Sequence, residues 1–385
     1  MVDDITRYAG REQAAVKHYF LRSYLESLVF KTASSYEEIS YVDGFSGPWQ
    51  HTGENYEDTS FGIALASLRK AKAAWKELNG RDVRMSAHLV EKAKGPYAEL
   101  ETIKARFPDI DVHTYRGDFV ARAPEIAKAI PRDAFAFLFI DPKGWRIPMG
   151  ELAPLLRRDR TEVVFNFMFE FINRAASISD PAIESGLREL MPYGSWREQL
   201  VDAPPEARRS ILANAFAETL ARIGNYRYVA EIPILRPLKD RTLYSLFYGT
   251  RHPKGIEVFR EYHVKTERAQ ASIRQATKSA HREAASGQGQ LFGADVAMGP
   301  SEVEAFFDRE RAEARLTLLA LAPTEAGRRT TYGDLWPLVL TRHAVTKVEL
   351  NQIAAALRRE GCLNFPDWGE RKRVPADAYR LWRSA

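Results

Sequence analysis

Four carboxylates, Asp43, Glu91, Asp118 and Asp141, each follow a strand-like run and precede a turn. Carboxylates only accept hydrogen bonds, so such a set suits a ligand rich in hydroxyls, amines or positive charge. In "YVDGFSGPWQ" (41–50), Gly44 and Gly47 flank Phe45 and Ser46, and glycines let a backbone come close to a ligand. "FIDPKGW" (139–145) sets Pro142, Lys143 and Trp145 directly after Asp141, and a fifth run ends in Asn166 and Glu170. Glu91 suits a ribose diol and Asp118 an amino group on a purine, while Asp141 sits where a reacting atom would meet its partner. Each residue alone has a plainer role: Asp118 as a helix cap, Glu91 as a solvated strand end, D-G-x-x-G as an ordinary turn.

The elements that must hold these residues alternate regularly. An amphipathic helix over 11–31, with Val16, Phe20, Tyr24 and Leu28 at helical spacing, precedes the core. Strands are expected at 39–43, 84–90, 110–115, 134–140 and 162–168, with helices at 60–77, 95–106, 123–130 and 149–158 between them. Strands that are almost continuously apolar and alternate with helices form a parallel sheet covered on both faces. Two later strands, 226–235 and 242–249, are joined by a link too short for a parallel crossover, so they form a hairpin. The insert near 169–224 predicts a helical cap over the substrate side.

Ligands of open parallel sheets bind beyond the carboxyl ends of the strands, which is where the acidic residues fall. The expected fold is α/β, a Rossmann-like sheet of parallel strands closed by an antiparallel hairpin. Its element order resembles that of class I S-adenosyl-L-methionine (SAM) methyltransferases. SAM carries a sulfonium and no phosphate, so an acidic pocket fits it better than it fits a dinucleotide. The expected cofactor residues are Asp43, Gly44, Phe45, Ser46, Gly47, Glu91 and Asp118, and the expected catalytic residues are Asp141, Pro142, Lys143, Trp145 and Asn166.

"YVDGFSGPW" resembles the D-x-F-x-G-x-G motif of nucleic-acid methyltransferases, and "FIDPKGW" resembles their D-P-P-[FY]. Residues 43–49, 139–144 and 250–255 together resemble the three-Cys-motif partner protein family, over about 1–280. That resemblance implies a methyltransferase-like fold working beside a radical-SAM-like protein with three cysteines. Two departures stand out: Trp49 replaces the last motif glycine, and Lys143 and Gly144 replace the second proline and the aromatic. In amino-methyltransferases the Asp accepts from the target amine while the aromatic stacks on an extruded base. Asp141 retains the acceptor, Trp145 offers a stacking face one position displaced, and Lys143 disfavours protonation of a nearby amine or binds phosphate. The alternative is an inactive nucleic-acid-binding adaptor for the same partner.

The chain has 385 residues, which implies two domains, and its 45% apolar and 28% charged content is that of globular protein. No apolar run approaches the ~20 residues of a membrane span, so the expectation is cytoplasmic with no membrane contact. One cysteine, Cys362, excludes an internal disulfide and multi-cysteine metal sites, and no metal is expected. The net charge is +5, and from Glu325 onward 11 Lys/Arg face 7 Asp/Glu, so most of the excess lies at one end. Domains are expected over 1–282 and 301–385, with a Gly- and Pro-containing linker at 283–300. Three helices and a basic, turn-rich end predict a winged-helix-like module. Thr346 and Glu349 form a capping box, Val348, Ile353 and Leu357 an apolar side, and Lys347, Asn351, Gln352, Arg358 and Arg359 a polar side suited to DNA or RNA. "GERKR" (369–373) reads as a phosphate-binding wing, although winged helices also dock proteins. In the linker, "QGQLF" matches the Q-x-x-L-F pattern of bacterial sliding-clamp ligands, through Gln288, Leu291 and Phe292.

Overall fold

The computed structural model describes residues 8, 10–47, 56–286, 302–324, 330–369 and 371–384. They form two compact units, 1–251 and 252–385. Trp49 and the clamp-like Gln288, Leu291 and Phe292 lie outside the described residues, as does most of the 283–300 linker.

The first unit begins with α1 (Glu12–Thr32), then runs β1 (Glu38–Asp43), α2 (Ser60–Asn79), β2 (Arg84–Glu91), α3 (Lys94–Thr102), β3 (Asp111–Arg116), α4 (Phe119–Ala129), β4 (Phe135–Ile140), α5 (Ala153–Leu156) and β5 (Thr161–Phe167). Four helices follow, α6 (Phe169–Ala175), α7 (Pro181–Leu190), α8 (Trp196–Val201) and α9 (Pro205–Gly224), and then β6 (Tyr228–Leu235) and β7 (Thr242–Thr250). The seven strands form one sheet in the order β3-β2-β1-β4-β5-β7-β6. β1 to β5 are parallel, and β7 is antiparallel to both β5 and β6, the hairpin that the short 236–241 link requires. Sequence order reverses between β1 and β4, where crossovers leave opposite faces and a crevice opens.

Every residue of β4, "FAFLFI", is buried, because helices cover both faces. On one face Leu25 and Val29 of α1 and Ala64 and Leu68 of α2 meet Ile39, Tyr41 and Phe137. On the other, Phe165, Phe167 and Phe247 pack around Phe216 of α9. The helix expected over 149–158 is instead a 3-10 turn, Met149–Leu152, followed by the single turn α5. Pro148 and Pro154 explain this, since each removes a backbone donor.

The second unit consists of α10 (Pro253–Ser286), α11 (Glu302–Leu321), α12 (Tyr332–Arg342), α13 (Lys347–Arg359) and two short strands, β8 (Leu363–Asn364) and β9 (Trp382–Arg383). β8 and β9 pair antiparallel, and Thr331 bridges to Arg380. Composition divides the chain at 283–300, but contacts divide it at 251/252, since α10 packs with the helices that follow it. The buried Arg260 of α10 donates to Leu340 O at 2.5 Å and Thr341 O at 3.0 Å, filling carbonyls at the end of α12. Among the described residues no helix is long and apolar enough to cross a membrane.

Candidate functional site

A cavity of about 620 Å³ opens at the carboxyl edge of the sheet. The tips of four strands line it: Gly44 and Phe45 after β1, Val90 to Ala93 at β2, Gly117 to Phe119 after β3, and Pro142 to Ile147 after β4. Phe171 of α6 closes one side. Of the twelve sequence-nominated residues, Gly44, Phe45, Glu91, Asp118, Pro142, Lys143 and Trp145 line the cavity, whereas Asp43, Ser46, Gly47, Asp141 and Asn166 do not.

Asp43 is fully buried and holds the loop after β1 in shape. Its Oδ1 accepts from the Phe45 N–H at 3.0 Å, and its Oδ2 accepts from the Tyr41 hydroxyl at 3.1 Å and the Ser60 hydroxyl at 2.6 Å. Ser46 continues the turn, donating its hydroxyl to Asp43 O at 2.9 Å and its N–H to Val90 O at 2.8 Å. Gly47 is buried beside it. Gly44 is needed because an added Cβ would lie 2.8 Å from the ring of Phe119. Asp43 thus shapes the pocket from behind.

Burial pushes the Asp43 carboxyl up to about 6 against the hydrogen bonds from Ser60 and Phe45, which pull it down. A raised folded-state pKa means that the stability linked to its proton is complete below about pH 4 and is lost as pH rises through about 6. Asp43→Asn keeps the acceptor for Phe45 and removes the charge. The variant should gain on the wild type between pH 4.5 and 7.5, by roughly 2 kcal/mol. Urea unfolding at both pH values measures this, and a difference that does not change with pH would refute it.

Glu91 is 5% exposed and accepts from the Ala93 N–H at 2.6 Å through Oε1. Asp118 is the N-cap of α4, its Oδ1 accepting from the Val120 N–H at 3.0 Å, while Oδ2 meets Lys92 Nζ at 3.4 Å. The plainer helix-cap role is therefore real, and it leaves Asp118 on the cavity wall. Trp145 packs so tightly on α7 that a Cβ on Gly186 would stand 2.8 Å from its ring. Lys143 is exposed at the rim, where partial burial lowers its pKa against the opposing pull of Glu91.

The tip of β4 holds a group that sequence reasoning did not find. Lys17 of α1 forms an ion pair and hydrogen bond with Asp141, with side chains 15% and 21% exposed. Asn166 at the end of β5 donates its amide to Asp141 Oδ1 at 2.5 Å. Burial pushes the Asp141 carboxyl up, but Lys17 and the Asn166 hydrogen bond outweigh it and hold the pKa below its ordinary value. Asn166 Oδ1 is buried without a hydrogen-bond partner among the described residues. A lone lysine on an amphipathic helix carries no sequence signal that points 124 residues ahead.

Glu170, read as another acidic tip, is buried within α6 under Arg174, Arg236 and Arg241. In the second unit the capping box at Thr346 and Glu349 is formed, with the Glu349 N–H donating to Thr346 Oγ1 at 3.2 Å. Leu357 is buried as expected and Ile353 is half-buried, but Val348 is 66% exposed, and Leu350 and Ala354 complete the buried side in its place. Much of the expected polar face is already engaged. Lys347 pairs with Asp377 and stacks on Trp336, Asn351 accepts from the Tyr332 hydroxyl, and Arg358 donates to Trp368 O. Arg371, Lys372 and Arg373 are exposed and enter no ion pair among the described residues.

No protein-family model matches the chain, and no curated protein matches it. Several solved structures share a loose similarity with it. Protein LPL1258 of Legionella pneumophila is 13% identical, with a TM-score of 0.37, covering 63% of this chain and 88% of that one. The putative methyltransferase yhhF of Escherichia coli is 11% identical, with a TM-score of 0.26, covering 59% and 86%. A loganic acid methyltransferase with SAH is 10% identical, with a TM-score of 0.29, covering 73% and 91%. The chemistry of the site rests on its own residues.

Proposed function

We propose that the first unit is a class I methyltransferase-like domain that binds SAM in the strand-tip cavity and acts on nucleic acid. The carrying observation is the cavity itself: about 620 Å³ beside the β1/β4 reversal, with the acceptors Glu91 and Asp118 set among Phe45, Val90, Phe119 and Ile147. Apolar walls suit a purine, and two carboxylates suit a diol and an exocyclic amine. Bound SAM would supply the electrophilic methyl group. Asp141 and Asn166 belong at the end where a target amine arrives, and Trp145 offers a face for its base. The small ribbon of the second unit, with Arg371 to Arg373 in its connecting loop, supports a winged-helix-like reading and a phosphate contact there. Partnership with a radical-SAM-like three-Cys protein and clamp binding through Gln288, Leu291 and Phe292 rest on sequence motifs.

Calorimetry with S-adenosylhomocysteine tests the cofactor. Glu91→Gln keeps the oxygen that caps Ala93 and removes the charge, so the fold should survive while affinity falls about tenfold. Asp43→Asn should change affinity far less, since Asp43 does not line the cavity. No binding by the wild type at millimolar ligand would sink the assignment. One observation favours the adaptor reading: the Asp141 carboxylate already holds Lys17 and Asn166. Transfer of labelled methyl from SAM to DNA or RNA, lost in Asp141→Ala, removes that reading; cofactor binding without transfer supports it.

A further inference from the structure

The antiparallel β7 has a consequence at the substrate side. β6 runs in the same direction as β5, because both are antiparallel to the strand between them. Leu235 at the end of β6 pairs with Thr242, and Phe167 at the end of β5 pairs with Ser245, three residues along the same strand. The 236–241 turn therefore lies on the carboxyl edge, near α6, which starts two residues after β5.

The turn and α6 bring three guanidinium groups to one buried carboxylate. Arg236 hydrogen bonds to Glu170, whereas Arg241 and Arg174 stand off at 3.7 and 3.9 Å. Glu170 is 8% exposed, but Arg241 is 56% exposed and Arg174 67%. One carboxylate balances one cation, so a single tight contact explains Arg236 and leaves Arg174 and Arg241 as surplus charge facing water. Asp240 and Lys239 in the turn add one charge of each sign.

Arg174 also joins this surface to the cavity. Its guanidinium lies 5.6 Å from the ring centre of Phe171, a cavity-lining residue that is 47% exposed. Trp145, also in the lining, has Arg146 placed 5.4 Å from its ring centre. Aromatic faces next to cations are what unpaired bases and their phosphates bind. A folded duplex buries its base faces and has no use for such platforms.

Resting on the nucleic-acid reading above, we infer that this edge is a single-strand site: Arg174 and Arg241 take backbone phosphates, and Phe171 and Trp145 take base faces at the cavity mouth. Arg236 is structural and keeps Glu170 neutralised.

The test uses the full chain with a fluorescent single-stranded 20-mer, the matching duplex, and a salt series read by anisotropy. Arg174→Gln/Arg241→Gln leaves Arg236 and Glu170 paired, so the fold is retained. Loss of two single-strand phosphate contacts should flatten the log-affinity against log-salt slope by about 1.4. Phe171→Ala should weaken single-strand binding with the salt slope unchanged, a split that general loss of positive charge does not give. Affinity for S-adenosylhomocysteine should be unaltered in Arg174→Gln/Arg241→Gln, since neither arginine lines the cavity. Lys70→Gln/Arg84→Gln removes two exposed cations elsewhere and should leave the slope near the wild-type value. A wild-type slope in Arg174→Gln/Arg241→Gln, or equal flattening in the control pair, overturns the inference. So does duplex binding that is tighter than single-strand binding and equally sensitive to the two arginines. Wild-type protein that binds neither nucleic acid refutes the nucleic-acid reading itself, a distinct result from binding that ignores these arginines.

Discussion

Lys17→Met should destabilise the first unit by about 3 kcal/mol at neutral pH, because it strands a largely buried carboxylate. Asp141 would keep only the Asn166 amide, and burial, no longer opposed by the ammonium, would push its pKa up. The pH dependence follows from the direction of the shift. In the wild type the Asp141 pKa is depressed, so its contribution is present above the ordinary carboxylate pKa and disappears as pH falls through the folded value. In Lys17→Met the folded pKa is raised, so the contribution is present at low pH and disappears as pH rises. The gap between the proteins should therefore widen from about pH 4 to neutrality. Urea unfolding at pH 4 and 7.5 reads it directly. Lys17→Met/Asp141→Asn removes both charges and should recover most of the loss. A gap that is the same at both pH values would mean that the ion pair contributes nothing to stability. The same double variant bears on function, since it takes away the cation that competes with an incoming amine for the tip of β4.

Arg251→Ala should cost about 4 kcal/mol, the larger of the two effects, through loss of several charge-assisted hydrogen bonds at once. The guanidinium donates to Leu156 O at 2.7 Å, Arg158 O at 2.9 Å, Thr161 O at 3.3 Å and also to Gly224 O. Those carbonyls close α5, enter β5 and end α9, so one side chain fills the unpaired acceptors of two helix ends. Tyr226 lies 4.7 Å from the guanidinium carbon and shields it. Arg251→Lys should rescue little, because a single ammonium cannot span four carbonyls as the planar fork does. Thermal unfolding should show a drop of roughly 10 °C for a domain of this size. Binding of S-adenosylhomocysteine at low temperature should persist, since Arg251 does not line the cavity. A loss below about 1 kcal/mol would show that water replaces the guanidinium at these carbonyls. Arg251 lies inside the 250–255 stretch on which the family resemblance partly rests, and here its work is to hold the sheet and helices together.

What the sequence determined by itself is what depends on near neighbours. "FAFLFI" had to be a strand buried on both sides, because six consecutive apolar residues leave no polar face to turn outward. A link of six residues between β6 and β7 had to reverse direction, so the antiparallel closure was legible. The carboxyl-edge position of Glu91 and Asp118 followed from strand direction, and Thr346 and Glu349 declared a helix start through their spacing. The tertiary structure decided whatever depends on which distant surface comes to rest beside a residue. Asp43 and Asp141 look equivalent as strand-tip acids, yet one is locked by its own loop and the other is held by a lysine from α1. Val348 and Leu350 are both apolar on α13, and the packing of the helices around it determines which one is buried. Glu170 reads as one more acidic tip until the hairpin turn brings Arg236 and Arg241 over it, beside Arg174 of its own helix. Periodicity and turn chemistry are set by local backbone geometry, whereas the charge a carboxylate carries depends on burial and on partners that chain closure brings from far along the sequence.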